Sequence, residues 1–194
     1  MSSDIPTDPH ANPWQTLETR NVYTNDWISV REDQVIRPDG NPGIYGVVDT
    51  RFATGVVALT PENEVYLVGQ YRYPTEVYSW ELVEGGTDVG EDPLDAAKRE
   101  LAEEAGLFAR NWRTLAEGIQ ISNCISSEFA YIYIATDLEE TQSNPDGTEQ
   151  LEVKRVPFDK TLAMVDTGVI TDSISIMGIL MAERFMRANN GVGA

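Results

Sequence analysis

Seven carboxylates share residues 85–107, GGTDVGEDPLDAAKRELAEEAGL, with one arginine and one lysine. Glu100, Glu103 and Glu104 stand close enough to meet on one side of a helix. Like charges at i,i+4 repel by roughly 0.2–0.5 kcal/mol per pair even when exposed. Packing them beside an apolar face worsens the repulsion, and a hard divalent cation removes it. Mg²⁺ takes carboxylate oxygens and keeps waters that substrate phosphates can replace. Without such an ion the same residues read as a solvated acidic face, partly neutralised by Lys98 and Arg99.

The element that must position these side chains is a helix with both ends written in the sequence. Asp92 is placed as N-cap and Pro93 as the first helical residue. Asp95 falls in the first turn, where negative charge is favoured. Good helix formers follow, and Gly106 is placed to end the helix. Leu94, Ala97, Leu101 and Ala105 share one face, which predicts packing on a core.

Spacing adds a second signal. Gly85, five residues, Glu91, seven residues and then Arg99-Glu100-Leu101-Ala102-Glu103-Glu104-Ala105-Gly106-Leu107 resembles the Nudix box at every defined position. The resemblance implies a loop–helix–loop that binds divalent metal, Mg²⁺ with Mn²⁺ as the alternative, and hydrolyses a nucleoside diphosphate linked to another group. It implies metal ligation by Glu100, Glu103, Glu104 and the Glu84 carbonyl, with support from Glu91. Arg99 matches an arginine that orients a glutamate, and Gly85 and Gly106 are the box glycines. The fold implied is an α/β (α+β) Nudix sandwich, α/β/α with a mixed sheet, carrying a small N-terminal antiparallel sheet.

Composition narrows the function. Net charge is −18 from 14 basic and 32 acidic side chains, a surface that repels nucleic acid polymers and anionic membranes. Local arginine and bound metal must therefore reverse the sign at any diphosphate site. Cys124 is the only cysteine, and His10, the only histidine, lies in a polar N-terminal tail. Thiol catalysis, serine triads and structural zinc are poor readings of such a chain. The opening residues show no signal peptide and no run is long enough to span a membrane, so a cytoplasmic protein is expected.

The chain divides into a tail over 1–13, an N-terminal sheet over 14–50, a catalytic domain over 51–188 and a frayed end over 189–194. Short strands are predicted over 20–24, 27–34 and 44–49. A block this small cannot bury its own apolar residues. The similar sheet of ADP-ribose and nucleoside-diphosphate-sugar pyrophosphatases implies a homodimer.

Beyond it, strands are predicted over 55–60, 64–71 and 79–83. The run Val56-Val57-Ala58-Leu59 fits a strand covered on both faces. Arg72, at a strand end, can fork onto phosphate oxygens. The string QYRYP around it resembles the same subgroup, in which the matching arginine contacts substrate. Its plainer reading is a surface salt bridge. After the box, strands are predicted over 112–122, 128–136 and 150–156, with an acidic loop over 137–149. Helices are predicted over 157–167, with Pro157 at N1, and over 172–187, with a stripe of Ile176, Ile179, Leu180 and Phe185.

By resemblance, Glu128 belongs to the substrate site, and Glu149 returns from the acidic loop to accept a proton from the attacking water. The catalytic set is then Glu149, Glu103 and Arg99. Asn123 stands where the ADP-ribose subgroup commonly carries proline. The expected substrate is a nucleoside diphosphate sugar, with ADP-ribose or a dinucleoside polyphosphate as alternatives. From another class, a non-catalytic nucleotide sensor competes, but the intact box opposes it. A plain Ca²⁺ module lacks the EF-hand pattern.

Overall fold

The structure, a computed structural model, describes residues 10–141 and 150–190. The chain falls into two compact units, residues 1–50 with 122–128, and residues 51–121 with 129–194. The first holds strands β1 (Gln15–Thr24), β2 (Ile28–Ile36) and β3 (Pro42–Thr50) in the order β1-β2-β3. Both pairings are antiparallel. A parallel bridge between Val48 and Ser126 ties residues 122–128 to this sheet. Val35 is buried, but Leu17, Val22, Tyr23, Trp27 and Ile44 are exposed, Trp27 at 70 %.

The second unit is a sandwich. Its elements are β4 (Ala53–Ala58), β5 (Glu64–Arg72), β6 (Val77–Glu81), β7 (Val83–Gly86), α1 (Pro93–Ala105), β8 (Leu107–Gln120), β9 (Phe129–Glu140), β10 (Glu152–Pro157), α2 (Phe158–Asp166) and α3 (Ser173–Asn190). Four strands form a mixed sheet β7-β4-β9-β8, parallel only between β4 and β9. Three form an antiparallel sheet β10-β5-β6. Alternation along β4 and just beyond it separates two cores. Val56 and Ala58 pack with Ala97 and Leu101 of α1, whereas Val57 and Leu59 pack with Phe158, Ile179 and Ala182 of α2 and α3. The continuous apolar run is therefore covered on both faces, giving the expected α/β/α arrangement.

Several boundaries differ from the sequence reading; β1 begins at Gln15, not 20, and the strand predicted over 79–83 is split at Leu82 into β6 and β7. β8 begins at Leu107, not 112, because Gly106 turns through φ 64° and sends the chain straight into pairing with Glu140. β9 correspondingly runs to Glu140, so the acidic loop is shorter than 137–149; residues 142–149 lie outside the described ones. Pro157 is the N-cap of α2 rather than N1, with extended backbone at ψ 137°. On α3 the buried positions include Ile174, Ser175, Ile179 and Ala182, while Leu180 is exposed. The stripe differs from the expected one because a small residue faces the sheet: a Cβ on Gly178 would lie 2.6 Å from Leu82 Cδ1. Among the described residues no helix is long and apolar enough to cross a membrane.

Candidate active site

The helix that carries the carboxylates ends as its sequence dictates. Asp92 accepts from Leu94 N–H at 2.9 Å, Pro93 opens the first turn, and Gly106 N–H closes onto Ala102 O. Ala96, Ala97 and Leu101 are fully buried, and Glu104 is carried inward beside them at 3 % exposure. Its Oε2 accepts from the Glu84 N–H at 3.2 Å, joining helix α1 to strand β7.

Arg99 is the hub. A guanidinium has five N–H donors in a fixed fork, and here they are spread over four partners. Nε and Nη2 fork onto the two Glu91 oxygens at 3.1 and 3.0 Å. Nη2 also reaches Gly86 O at 2.9 Å. Nη1 bridges Glu100 at 2.7 Å and Glu103 at 3.1 Å. The Glu91 bond is the largest cause of Arg99's raised pKa, and Arg99 in turn holds the Glu91 carboxyl below the usual carboxylate range. Glu91 also accepts from Asp88 N–H at 2.7 Å, which fixes the loop entering the helix.

Gly85 has a steric reason to be glycine. A Cβ there would lie 2.0 Å from Glu100 Cδ and 2.2 Å from its Oε1. The Glu100 carboxylate thus rests directly on the backbone of β7. Thr54 Oγ1 donates to Gly85 O at 3.2 Å from the neighbouring strand. The Glu84 carboxyl accepts from Ser175 Oγ of α3. Desolvation raises the pKa of that carboxyl well above its ordinary value, and the charge of Asp172 raises it further.

The donor set is carboxylate and carbonyl oxygen throughout, which suits a hard divalent cation. No three of the described acidic groups already form a cage for one. The reason is visible: Arg99 bridges Glu100 and Glu103, while Glu104 is turned to the Glu84 N–H. The residues present fit a divalent ion in chemistry, with Arg99 bridging Glu100 and Glu103 in this state.

Arg72 stands at the end of β5 and faces a cavity of about 450 Å³ lined also by Ser79, Glu81, Thr171 and Asp172. Its Nε lies 3.0 Å from both oxygens of Glu81, and Nη2 bonds Glu81 as well. Burial acts to lower the Arg72 pKa, but Glu81, helped by the charges of Glu84 and Glu104, raises it overall. The arginine is therefore within electrostatic reach of the box carboxylates. Its ion pair is with a buried glutamate, a partner the sequence reading did not assign. Arg72→Ala strands that carboxylate. Because the Arg72 side chain is 40 % exposed, the expected loss is only about 1–3 kcal/mol in urea unfolding. A raised KM should accompany it; an unchanged KM would remove Arg72 from the phosphate-binding set.

Of the other assigned residues, Glu128 is half-buried in the first unit, where its N–H donates to Ser126 Oγ at 3.4 Å. Glu149 lies outside the described residues.

Residues 49–172 match the NUDIX domain, and residues 14–48 match the nucleoside diphosphate sugar hydrolase N-terminal domain. The chain belongs to the Nudix family. An ADP-ribose pyrophosphatase of Mycobacterium tuberculosis is 32 % identical over 170 residues, covering 86 % of this chain and 82 % of that protein. A methanol dehydrogenase activator of Bacillus methanolicus is 28 % identical over 167 residues, 85 % of this chain and 90 % of its own. A crystal structure of an ADP compounds hydrolase superposes with a TM-score of 0.81 at 21 % identity, over 91 % of this chain and 95 % of that one, a likeness of fold. The expected class, a Nudix pyrophosphohydrolase, agrees with these findings.

Proposed function

We propose that this Nudix protein hydrolyses the diphosphate of a nucleoside diphosphate sugar, releasing a nucleoside monophosphate and a sugar phosphate. The observation that carries the reading is the convergence of Glu100, Glu103 and Glu91 on Arg99, beside the bond of Glu104 to Glu84 N–H. In this reading Glu100, Glu103, Glu104 and the Glu84 carbonyl hold Mg²⁺, with Mn²⁺ as its substitute. Bound there, the ion supplies neutralisation of the diphosphate and a water of lowered pKa. Arg99 keeps Glu91 and releases Glu100 and Glu103, so one cation is exchanged for another without leaving the carboxylates uncompensated. Arg72 directs its outer edge to a phosphate while its inner edge stays on Glu81. Glu149 is assigned the proton of the attacking water, on the resemblance alone.

ADP-ribose is itself a nucleoside diphosphate joined to a sugar, and the name of the Mycobacterium tuberculosis relative makes it the first specific candidate. A panel of nucleotide sugars, ADP-ribose and dinucleoside polyphosphates, incubated with Mg²⁺ and read by product mass, tests the reading. Monophosphate products from the first two groups are expected. Intact substrates throughout would leave only a ligand-sensing role.

The N-terminal sheet is proposed to build a homodimer, in a cytoplasmic enzyme. Supporting this, Leu17, Val22, Tyr23, Trp27 and Ile44 remain exposed, and each such side chain gains roughly 1.5–3 kcal/mol on full burial. Light scattering at micromolar concentration should give twice the 21.5 kDa chain mass. A monomeric mass with full activity would refute the dimer.

A further inference from the structure

We infer that Ser175, outside the box and far from it in sequence, is a positioning residue that fixes the Glu84 segment of the metal site. This inference rests on the reading above. Ser175 is fully buried in the first turn of α3. Its Oγ accepts from Leu82 N–H at 2.9 Å and donates to the Glu84 carboxyl. Its own N–H is held by Asp172 Oδ2 at 2.8 Å, so the side chain that caps α3 also orients the serine. One hydroxyl therefore grips the strand on both sides of Val83, immediately before the carbonyl assigned to the metal.

Close packing leaves this turn little freedom. A Cβ on Gly55 would lie 2.5 Å from Ile174 Cγ2, and one on Gly178 would lie 2.6 Å from Leu82 Cδ1. Two glycines thus let α3 descend onto β4 and onto Leu82, just after β6, until a serine side chain can reach the Leu82 N–H and the Glu84 carboxyl. From the opposite side Glu104 accepts from Glu84 N–H, and Thr54 donates to Gly85 O. Glu84 is thus held through its N–H from α1 and through its carboxyl from α3, while β4 holds the carbonyl of the next residue, Gly85. The Glu84 side chain serves as a tether into α3, which leaves its backbone carbonyl as the group offered to a cation. Outer partners of this kind govern metal affinity because they set the direction of the inner ligand.

The test uses the full-length protein with Ser175→Ala, and Ser175→Cys as a slightly larger variant of the same shape that supplies only a weak donor. Turnover is measured against Mg²⁺ concentration, and Mn²⁺ binding is measured directly by electron paramagnetic resonance. Both variants should need roughly tenfold more Mg²⁺ for half-maximal rate and bind Mn²⁺ roughly tenfold more weakly. KM for the diphosphate substrate at saturating metal should stay within about twofold, since Ser175 touches no substrate. A merely structural serine would lower the melting temperature and the active fraction without moving either metal curve, and that result overturns the inference. If Ser175→Ala does not fold, Ser175→Cys carries the same test. If the wild type turns over no substrate, the proposed function fails, yet the Mn²⁺ comparison still decides the role of Ser175.

Discussion

Gly85→Ala is expected to fold and to lose turnover by about a hundredfold or more. The added methyl would occupy the place of the Glu100 carboxylate, 2.0 Å from its Cδ. Glu100 must then swing away, and its bond to Arg99 at 2.7 Å is lost with it. Misplacing a reacting or ligating group by about 1 Å is enough for a hundredfold loss. The fold is expected to survive because Glu100 is a half-buried side chain with solvent beside it, and the cores on either face of β4 contain neither residue. Gly86→Ala is the comparison: its nearest neighbour would be Phe52 O at 3.9 Å, so a far smaller loss is expected. Equal losses in the two variants would show that chain flexibility, not the closeness of Glu100, makes glycine necessary.

Glu104→Gln should have an effect of similar size by a different route. The amide oxygen can still accept from Glu84 N–H, so the join between α1 and β7 is preserved. What is removed is one negative charge at a position only 3 % exposed. Outer partners of metal ligands alone are worth roughly 10–100-fold, so loss of a ligand charge should cost on the order of a hundredfold or more in kcat. Stability should move the other way. Relief of like-charge repulsion with neighbouring carboxylates is worth a few tenths of a kcal/mol, so the metal-free melting temperature should hold or rise. Loss of folding with normal specific activity in the soluble fraction would sink the metal-site assignment.

Much of the site was legible because its information is local. The helix caps at Asp92 and Gly106, the inward face at Ala97 and Leu101, and the clustering of Glu100 and Glu103 on Arg99 all follow from spacing within one helix and its entry loop. The steric demand at Gly85 follows from the same short stretch once the helix folds back onto β7. The Arg72–Glu81 pair was half legible: an arginine at a strand end was visible, but its partner depends on β5 and β6 pairing, which sets Tyr71 opposite Tyr78 and Val68 opposite Glu81. Ser175 and Asp172 were not legible as site residues. Both sit about ninety residues beyond Glu84, and their meeting is decided by how α3 crosses the sheet. Small residues decide that crossing, and Gly55 and Gly178 carry no hydrophobic signal to announce it. The early start of β8 was hidden for the opposite reason. A helix-ending glycine announces a break, not that the break opens directly into a strand that begins by pairing with Glu140.

The central claim is that the Glu84, Glu100, Glu103 and Glu104 cluster uses a divalent cation to break a phosphoanhydride. Phosphorus NMR of a nucleoside diphosphate sugar incubated with the metal-stripped protein, before and after addition of Mg²⁺, tests it most directly. Before addition the two diphosphate resonances should persist. After addition they should give way to two phosphomonoester resonances, one from the nucleoside monophosphate and one from the sugar phosphate, and Glu104→Gln should leave the diphosphate intact on the same timescale. Undiminished hydrolysis without Mg²⁺ in the presence of chelator, or diphosphate resonances unchanged after its addition across the nucleotide sugars and ADP-ribose, would contradict the claim.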